Sequence, residues 1–264
     1  MNLPIYQVDA FADAVFGGNP AAIVPLEVWL PDATMQAIAA ENNLAETAFF
    51  VPEAPARYGL RWFTPAAEVD LCGHATLATA WLIFHKLRPD LNTATFSTRS
   101  GDLHVTLSGE SGRITMDFPA RIGKTVTAPP SLLKALGGQP VAVLESAAYM
   151  AVYATADEVR ALKPDMAGLA QLEKYGIIAT APGEKPGVDC VSRFFAPRVG
   201  VPEDPVTGSA HCSIVPYWAE RLGKAEITAY QASARGGTLY CRAAGERVFM
   251  AGKAVLFLEG SISL

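Results

Sequence analysis

The stretch Arg193-Phe194-Phe195-Ala196-Pro197, followed by Glu203-Asp204-Pro205-Val206-Thr207-Gly208-Ser209-Ala210-His211-Cys212, has an earlier echo in the same chain. The echo is Arg61-Trp62-Phe63-Thr64-Pro65, followed by Asp70-Leu71-Cys72-Gly73-His74-Ala75-Thr76. Arg, Phe and Pro recur at an offset of 132 residues, half of the 264-residue chain. Each copy reads as a strand ending at proline, an acidic loop, and a small-residue turn that opens a helix. The pattern predicts a duplicated fold carrying one half-site per copy.

Working outward, the helix opened by the first copy, His74 to His85, is apolar on nearly every face, and such a helix is normally buried on every face. Strands are predicted around it at 3–9, 21–24, 47–51, 58–63, 93–99, 102–108 and 112–118, so the sheet is expected to wrap it. Asp32 reads as the N-cap of a helix running to about Glu41. Residues 119–130, ending Thr125-Val126-Thr127-Ala128-Pro129-Pro130, hold little that packs and read as a linker. Beyond them, helices are expected at 131–137 and 155–162, and strands at 140–144, 148–153, 175–180, 187–196, 225–231, 238–243, 247–250 and 254–263. A second central helix is expected from Ser209 to Leu222, with Pro216 kinking it. The expectation is an α+β protein of two pseudo-symmetric domains, each a curved, mostly antiparallel sheet around a central helix. Their bounds are 1–120 and 130–253, with 254–264 packing back onto the first.

Composition sets the outer limits. Half the residues are hydrophobic and 18% are charged, enough for a sizeable core and too few charges for disorder. A net charge of −5 argues against a nucleic-acid partner, which calls for a basic face. No Lys/Arg run suggests an anionic membrane surface, and no apolar run approaches the roughly 18 residues of a membrane span. The N-terminus does not read as a signal peptide. The four cysteines, Cys72, Cys190, Cys212 and Cys241, form no CxxC pair and read as reduced thiols of a cytoplasmic protein.

Several residues stand out chemically. Gly73-His74 and Gly208-Ser209 each open a helix, whose first-turn amides lack intrahelical acceptors and carry about half a positive charge. Two such ends suit a small carboxylate. Glu46 lies among Leu44, Ala45, Ala48, Phe49 and Phe50, where desolvation favours a carboxyl able to act as both base and acid. The alternative for Glu46 is a strand-end carboxylate facing water. His74 could donate to a substrate oxygen or move a proton, or be a satisfied helix-start histidine. Asp204, held extended before Pro205, could orient a substrate amine or hydroxyl, or be a solvated loop acid like Glu203. Cys72 reads as a small buried hydrophobe, or as a thiol activated by the helix end. Cys72, His74, His211 and Cys212 together are zinc-competent by type, but C-x-H and adjacent His-Cys are poor spacings for zinc. No GxGxxG or GxxxxGK[ST] follows a strand, so a nucleotide cofactor lacks its fingerprint.

The motifs as a set resemble the PhzF-like phenazine biosynthesis family, which shares the diaminopimelate epimerase-like fold. The residues that carry the resemblance span the chain. They are Asp9-Ala10-Phe11 with Gly18-Asn19-Pro20-Ala21-Ala22, Asn43-Leu44-Ala45-Glu46-Thr47, Asp70 to Thr76, and Glu203 to His211. The resemblance implies a cofactor-independent, metal-free isomerase, commonly a homodimer, with its site between two similar domains. It implies Glu46 as the proton-shuttling acid/base and His74 and Asp204 as catalytic polar contacts. Asn19, Cys72, Gly73, Gly208 and Ser209 are then expected at the substrate, a small carboxylate. Epimerases of this fold use one cysteine from each half; here the second copy offers Val206-Thr207 and no thiol before Gly208. Single-base proton transfer by Glu46 therefore fits better than two-base racemisation through Cys72. The competing class is a non-catalytic small-molecule binding protein.

Overall fold

A computed structural model describes residues 1–264 and divides them into two compact units, one of Met1–Asp117 with Ala251–Leu264 and one of Phe118–Met250. The fold is mixed, rich in strands and with few helices.

In the first unit the strands are β1 (Asn2–Ala10), β2 (Asn19–Pro25), β3 (Glu46–Ala54), β4 (Arg57–Phe63), β5 (Glu68–Val69), β6 (Thr93–Thr98), β7 (Gly101–Leu107) and β8 (Ile114–Pro119). The terminal strand Ala254–Ser263 pairs antiparallel with β1, and β1 with β2. β2 runs parallel to β3, β3 antiparallel to β4, β4 parallel to β6, and β6–β7–β8 are antiparallel. Two helices belong here, α1 (Asp32–Asn42) and α2 (Gly73–Leu82). α2 packs against β1, β2, β3 and the terminal strand, and all its residues but Gly73 and Trp81 are buried. That burial is tolerable because its polar groups are satisfied locally. Thr76 Oγ1 donates to the Cys72 carbonyl at 2.6 Å and Thr79 Oγ1 to the Ala75 carbonyl at 2.8 Å. Asp32 does not cap α1. Pro31 holds that position and supplies no side-chain bond, while Asp32 is the first helical residue and pairs with Arg61 Nη1 at 2.9 Å.

The second unit holds β9 (Lys124–Thr125), β10 (Ala142–Glu145), β11 (Tyr149–Val152), β12 (Ile177–Pro182), β13 (Cys190–Phe195), β14 (Glu226–Gln231), β15 (Gly237–Ala244) and β16 (Arg247–Gly252). β9–β10–β11 are antiparallel, β11–β12 parallel, β12–β13 antiparallel, β13–β14 parallel and β14–β15 antiparallel. Its helices are α3 (Pro130–Leu136), α4 (Ala156–Ala161), α5 (Met166–Ala170) and α6 (Gly208–Leu222). A core of Leu132, Leu136, Tyr153, Val159, Leu169 and Phe195 joins helices to sheet. α6 lies on β14 and β15.

Residues 119–130 are not a loose linker. Lys124 and Thr125 pair with β10, and Val126 and Ala128 pack on the second unit's core. The reason lies partly in Pro216, which has no N–H for the Cys212 carbonyl four residues back. The backbone N–H of Arg121 takes that carbonyl instead, at 2.8 Å. A helix defect and a strand-poor segment thus satisfy one another.

Candidate active site

Glu46 is the first residue of β3, set beside Ala21 of β2 by the parallel register. α1 is closed by Asn43, the residue after its last turn, in the left-handed conformation with φ 50°, and three residues later the chain enters β3. Asn42 Nδ2 donates to Thr47 Oγ1 at 3.1 Å, which ties the end of α1 to the residue after Glu46. The Glu46 side chain keeps 17% of its surface, and Leu44 and Ala45 beside it are half-buried.

Glu46 Oε2 faces His74 Nε2 at 3.0 Å, and the imidazole is buried. On the other side of the ring, Asn19 Nδ2 lies 3.1 Å from Nδ1. Asn19 and Glu46 thus hold the two ring nitrogens on opposite sides, and in the neutral ring an amide donating to Nδ1 leaves the hydrogen on Nε2. Burial works against an imidazolium here, but Cys72 and Glu46 outweigh it and the His74 pKa is raised well above the usual imidazole value. Cys72 exerts that pull only as a thiolate. Burial, with the Glu46 charge nearby, pushes its thiol up to about 11. Near neutrality the pull on His74 therefore comes from Glu46. The structure thus brings Asn19, Glu46, Cys72 and His74 together in the first unit, with Cys72 Sγ 3.5 Å from His74 Nδ1.

The second unit holds Asp204, Gly208 and Ser209. Thr207 Oγ1 donates to Asp204 Oδ2 at 2.6 Å, and the Asp204 N–H donates to the Phe194 carbonyl at 3.0 Å. Gly208 is the first residue of α6 and is buried, and Ser209 is half-buried. Neither α2 nor α6 has a side-chain N-cap bond or an acidic residue in its first turn. The surface helices α4 and α5, by contrast, are capped by Thr155 and Asp165. A first turn with no side-chain cap is where an anion can take the cap's place.

Residues with no role foreseen in the sequence complete this half. Gln231 is fully buried at the end of β14. Its Oε1 accepts from the Thr207 N–H at 2.8 Å, while Nε2 donates to the Asp204 carbonyl at 2.7 Å and to Thr207 Oγ1 at 3.1 Å. One side chain thus satisfies three groups of the turn that carries Asp204. The repeated arginines have matching tasks. Arg61 grips Glu68 with Nε and Nη2, both at 2.7 Å, and lies 5.2 Å from the Phe63 ring centre. Arg193 grips Glu203 at 2.8 and 2.9 Å and lies 4.8 Å from the Phe195 ring centre. Each fork anchors the acidic loop upstream of a helix start. The recurrence of Arg with Phe two residues on was the available signal; nothing comparable marked Gln231.

His211 Nδ1 donates to the Thr207 carbonyl of its own helix at 2.7 Å, and burial pulls its pKa down to about 4. It is a neutral core histidine. All four cysteines are buried and unpaired, and burial pushes Cys212 up to about 11. The group with metal-ligand chemistry is Glu46, Cys72 and His74, whose ligand atoms lie within 4.8 Å of one another. No helix is long and apolar enough to cross a membrane.

A family model described as phenazine biosynthesis-like protein matches residues 8–260. An uncharacterised isomerase of Pseudomonas aeruginosa is 52% identical over 264 residues, all of both chains. One from Halalkalibacterium halodurans is 44% identical, again over all of both. Among solved structures, a phenazine biosynthesis protein of Enterococcus faecalis superposes with a TM-score of 0.95 at 44% identity, covering both chains fully.

Proposed function

The chain belongs to the PhzC-PhzF family of phenazine biosynthesis-like proteins, and from that premise we propose that it is an isomerase that moves a proton within a small carboxylate-bearing molecule, with Glu46 as the single acid/base. The observation that carries this reading is the 3.0 Å approach of His74 Nε2 to Glu46 Oε2. Glu46 as carboxylate removes a carbon-bound proton and returns it to another carbon on the same face of the substrate. His74, buried and oriented by Asn19, sets its Nε2 3.0 Å from that carboxylate. It holds Glu46 in one orientation and can lend a proton to an oxygen that gains charge. The first-turn amides of α2, with Gly73, are assigned to the substrate carboxylate.

This chemistry calls for neither a nucleotide nor a metal, because a half-buried carboxylate beside a buried imidazole can supply base, acid and charge stabilisation. Racemisation through Cys72 is disfavoured by its thiol, which burial holds near 11, and by the absence of a second cysteine before Gly208. The recurrence of the Arg–Glu fork and of an uncapped helix start in each unit supports descent from a duplicated half. A cytoplasmic homodimer is part of the same proposal.

The direct test is incubation in D₂O with a panel of small unsaturated and amino carboxylic acids, followed by NMR for deuterium on carbon. Incorporation into one class supports the isomerase. Saturable binding of a panel member without incorporation would replace it with a binding protein.

A further inference from the structure

We propose that a hollow in the second unit, at the turn between β12 and β13, is a binding site for a compact monocarboxylate, built from other residues than the Glu46–His74 pair. It is lined by Arg160 of α4, by Glu184, Lys185 and Val188 of the turn, by Val191 of β13 and by Tyr230 of β14. Its volume is about 130 Å³, room for about four waters at roughly 30 Å³ each, so the ligand is small. Val188 and Val191 give it an apolar floor: Val191 is buried and Val188 packs on the core of the unit. Arg160 and Glu184 pair with one another, and Arg160 also lies 3.7 Å from the exposed Asp157, outside the lining. Lys185 has no carboxylate partner, so the lining keeps one positive charge in excess, and the Tyr230 hydroxyl has no hydrogen-bond partner in the chain.

An ammonium, a phenolic O–H and an apolar floor complement a short branched carboxylate. Its oxygens accept from Lys185 and Tyr230, and its alkyl end displaces water from the valines. A phosphate would set its second charge against Glu184 and leave the valines wet. The walls are fixed before any ligand arrives. The Gly183 N–H donates to the Asp189 carbonyl at 2.9 Å and the Val188 N–H to the Lys185 carbonyl at 3.0 Å. Asp189 Oδ2 accepts from the Thr228 N–H at 2.8 Å, which ties the turn to β14. The Tyr230 hydroxyl lies against Gly236, where an added Cβ would come within 2.2 Å of it, so the backbone there seats the ring.

The test titrates the whole protein with isobutyrate and with its neutral isostere isobutyramide, followed by ¹H–¹⁵N NMR. Isobutyrate should shift the amides of 183–191 and 229–231 saturably. Isobutyramide should bind about 10–100-fold more weakly, the loss of a charge-assisted hydrogen bond. Lys185→Met, a change at an exposed side chain, should lower isobutyrate affinity by the same factor, and Lys185→Arg should recover most of it. Tyr230→Phe should cost about 2–10-fold. Small carboxylates are also the class proposed for Glu46, so the position of the shifts decides. Shifts confined to 72–76 would assign the probe to the candidate active site and overturn the second one. Equal binding of the amide, or unchanged affinity in Lys185→Met, would overturn it as well. None of these outcomes depends on whether the protein is an isomerase.

Discussion

Asn19 and His74, fifty-five residues apart in the chain, meet through Nδ2 and Nδ1 at 3.1 Å, and this contact orients the imidazole. With Asn19 on Nδ1, the other ring nitrogen, Nε2, is left facing Glu46 at 3.0 Å. Asn19→Leu removes that control while keeping the side-chain volume. The ring is then free to turn away from Glu46, and turnover should fall about 10–100-fold, with less effect on KM. Asn19→Asp should also slow turnover, because a carboxylate draws the hydrogen to Nδ1. Steady-state kinetics on the substrate found by deuterium incorporation decides this.

Gln231 predicts a different signature. Replacing it with Glu retains an acceptor for the Thr207 N–H but sets a carboxylate against the Asp204 carbonyl, where an N–H had donated. The loss of buried hydrogen bonds should cost about 1–3 kcal/mol in urea unfolding. Amide hydrogen exchange should rise at residues 203–209 more than in β12 or β13.

The two arginine forks should tolerate lysine poorly, since an ammonium cannot make two parallel bonds to one carboxylate. Arg193 also donates Nη1 to the Leu162 carbonyl at 2.8 Å, which ties α4's end to the same loop. Arg193→Lys should therefore lower the unfolding midpoint more than Arg61→Lys. Equal losses would show that the α4 contact contributes nothing.

His211 gives the chain a defined acid sensitivity. Its folded pKa is depressed from 6.5 to about 4 by burial, so the unfolded chain binds more protons between those values. The stability His211 confers is complete above about pH 6.5 and drains away as pH falls towards 4. By about pH 5 the loss should be about 2 kcal/mol. His211→Gln should flatten that part of the pH–stability curve, measured by urea unfolding at pH steps.

How much of this was legible follows from the range of the forces involved. α2 announced itself because a helix apolar on every face has one environment open to it. Strand alternation marked most strands to within a residue or two, since it is a local property. The caps were less accessible. Asp32 has the chemistry of an N-cap, but the chain entered the helix one residue earlier and Arg61 took the carboxylate. The segment 119–130 looked unpacked because its partner, the carbonyl freed by Pro216, lies some ninety residues away. Glu46, His74 and Cys72 stood out by residue type and by likeness to a family. That Asn19 orients His74, and that Gln231 ties Thr207 to Asp204, are facts of tertiary placement with no local trace.

The central claim, that Glu46 transfers the proton, is tested most directly by deuterium incorporation in D₂O with Glu46→Gln beside the wild type. Glutamine keeps the shape and a hydrogen-bonding oxygen but cannot accept the proton, so incorporation should fall by about 10²–10⁴-fold while ligand binding persists. Incorporation at the wild-type rate in Glu46→Gln would contradict the account and assign the chemistry to another group.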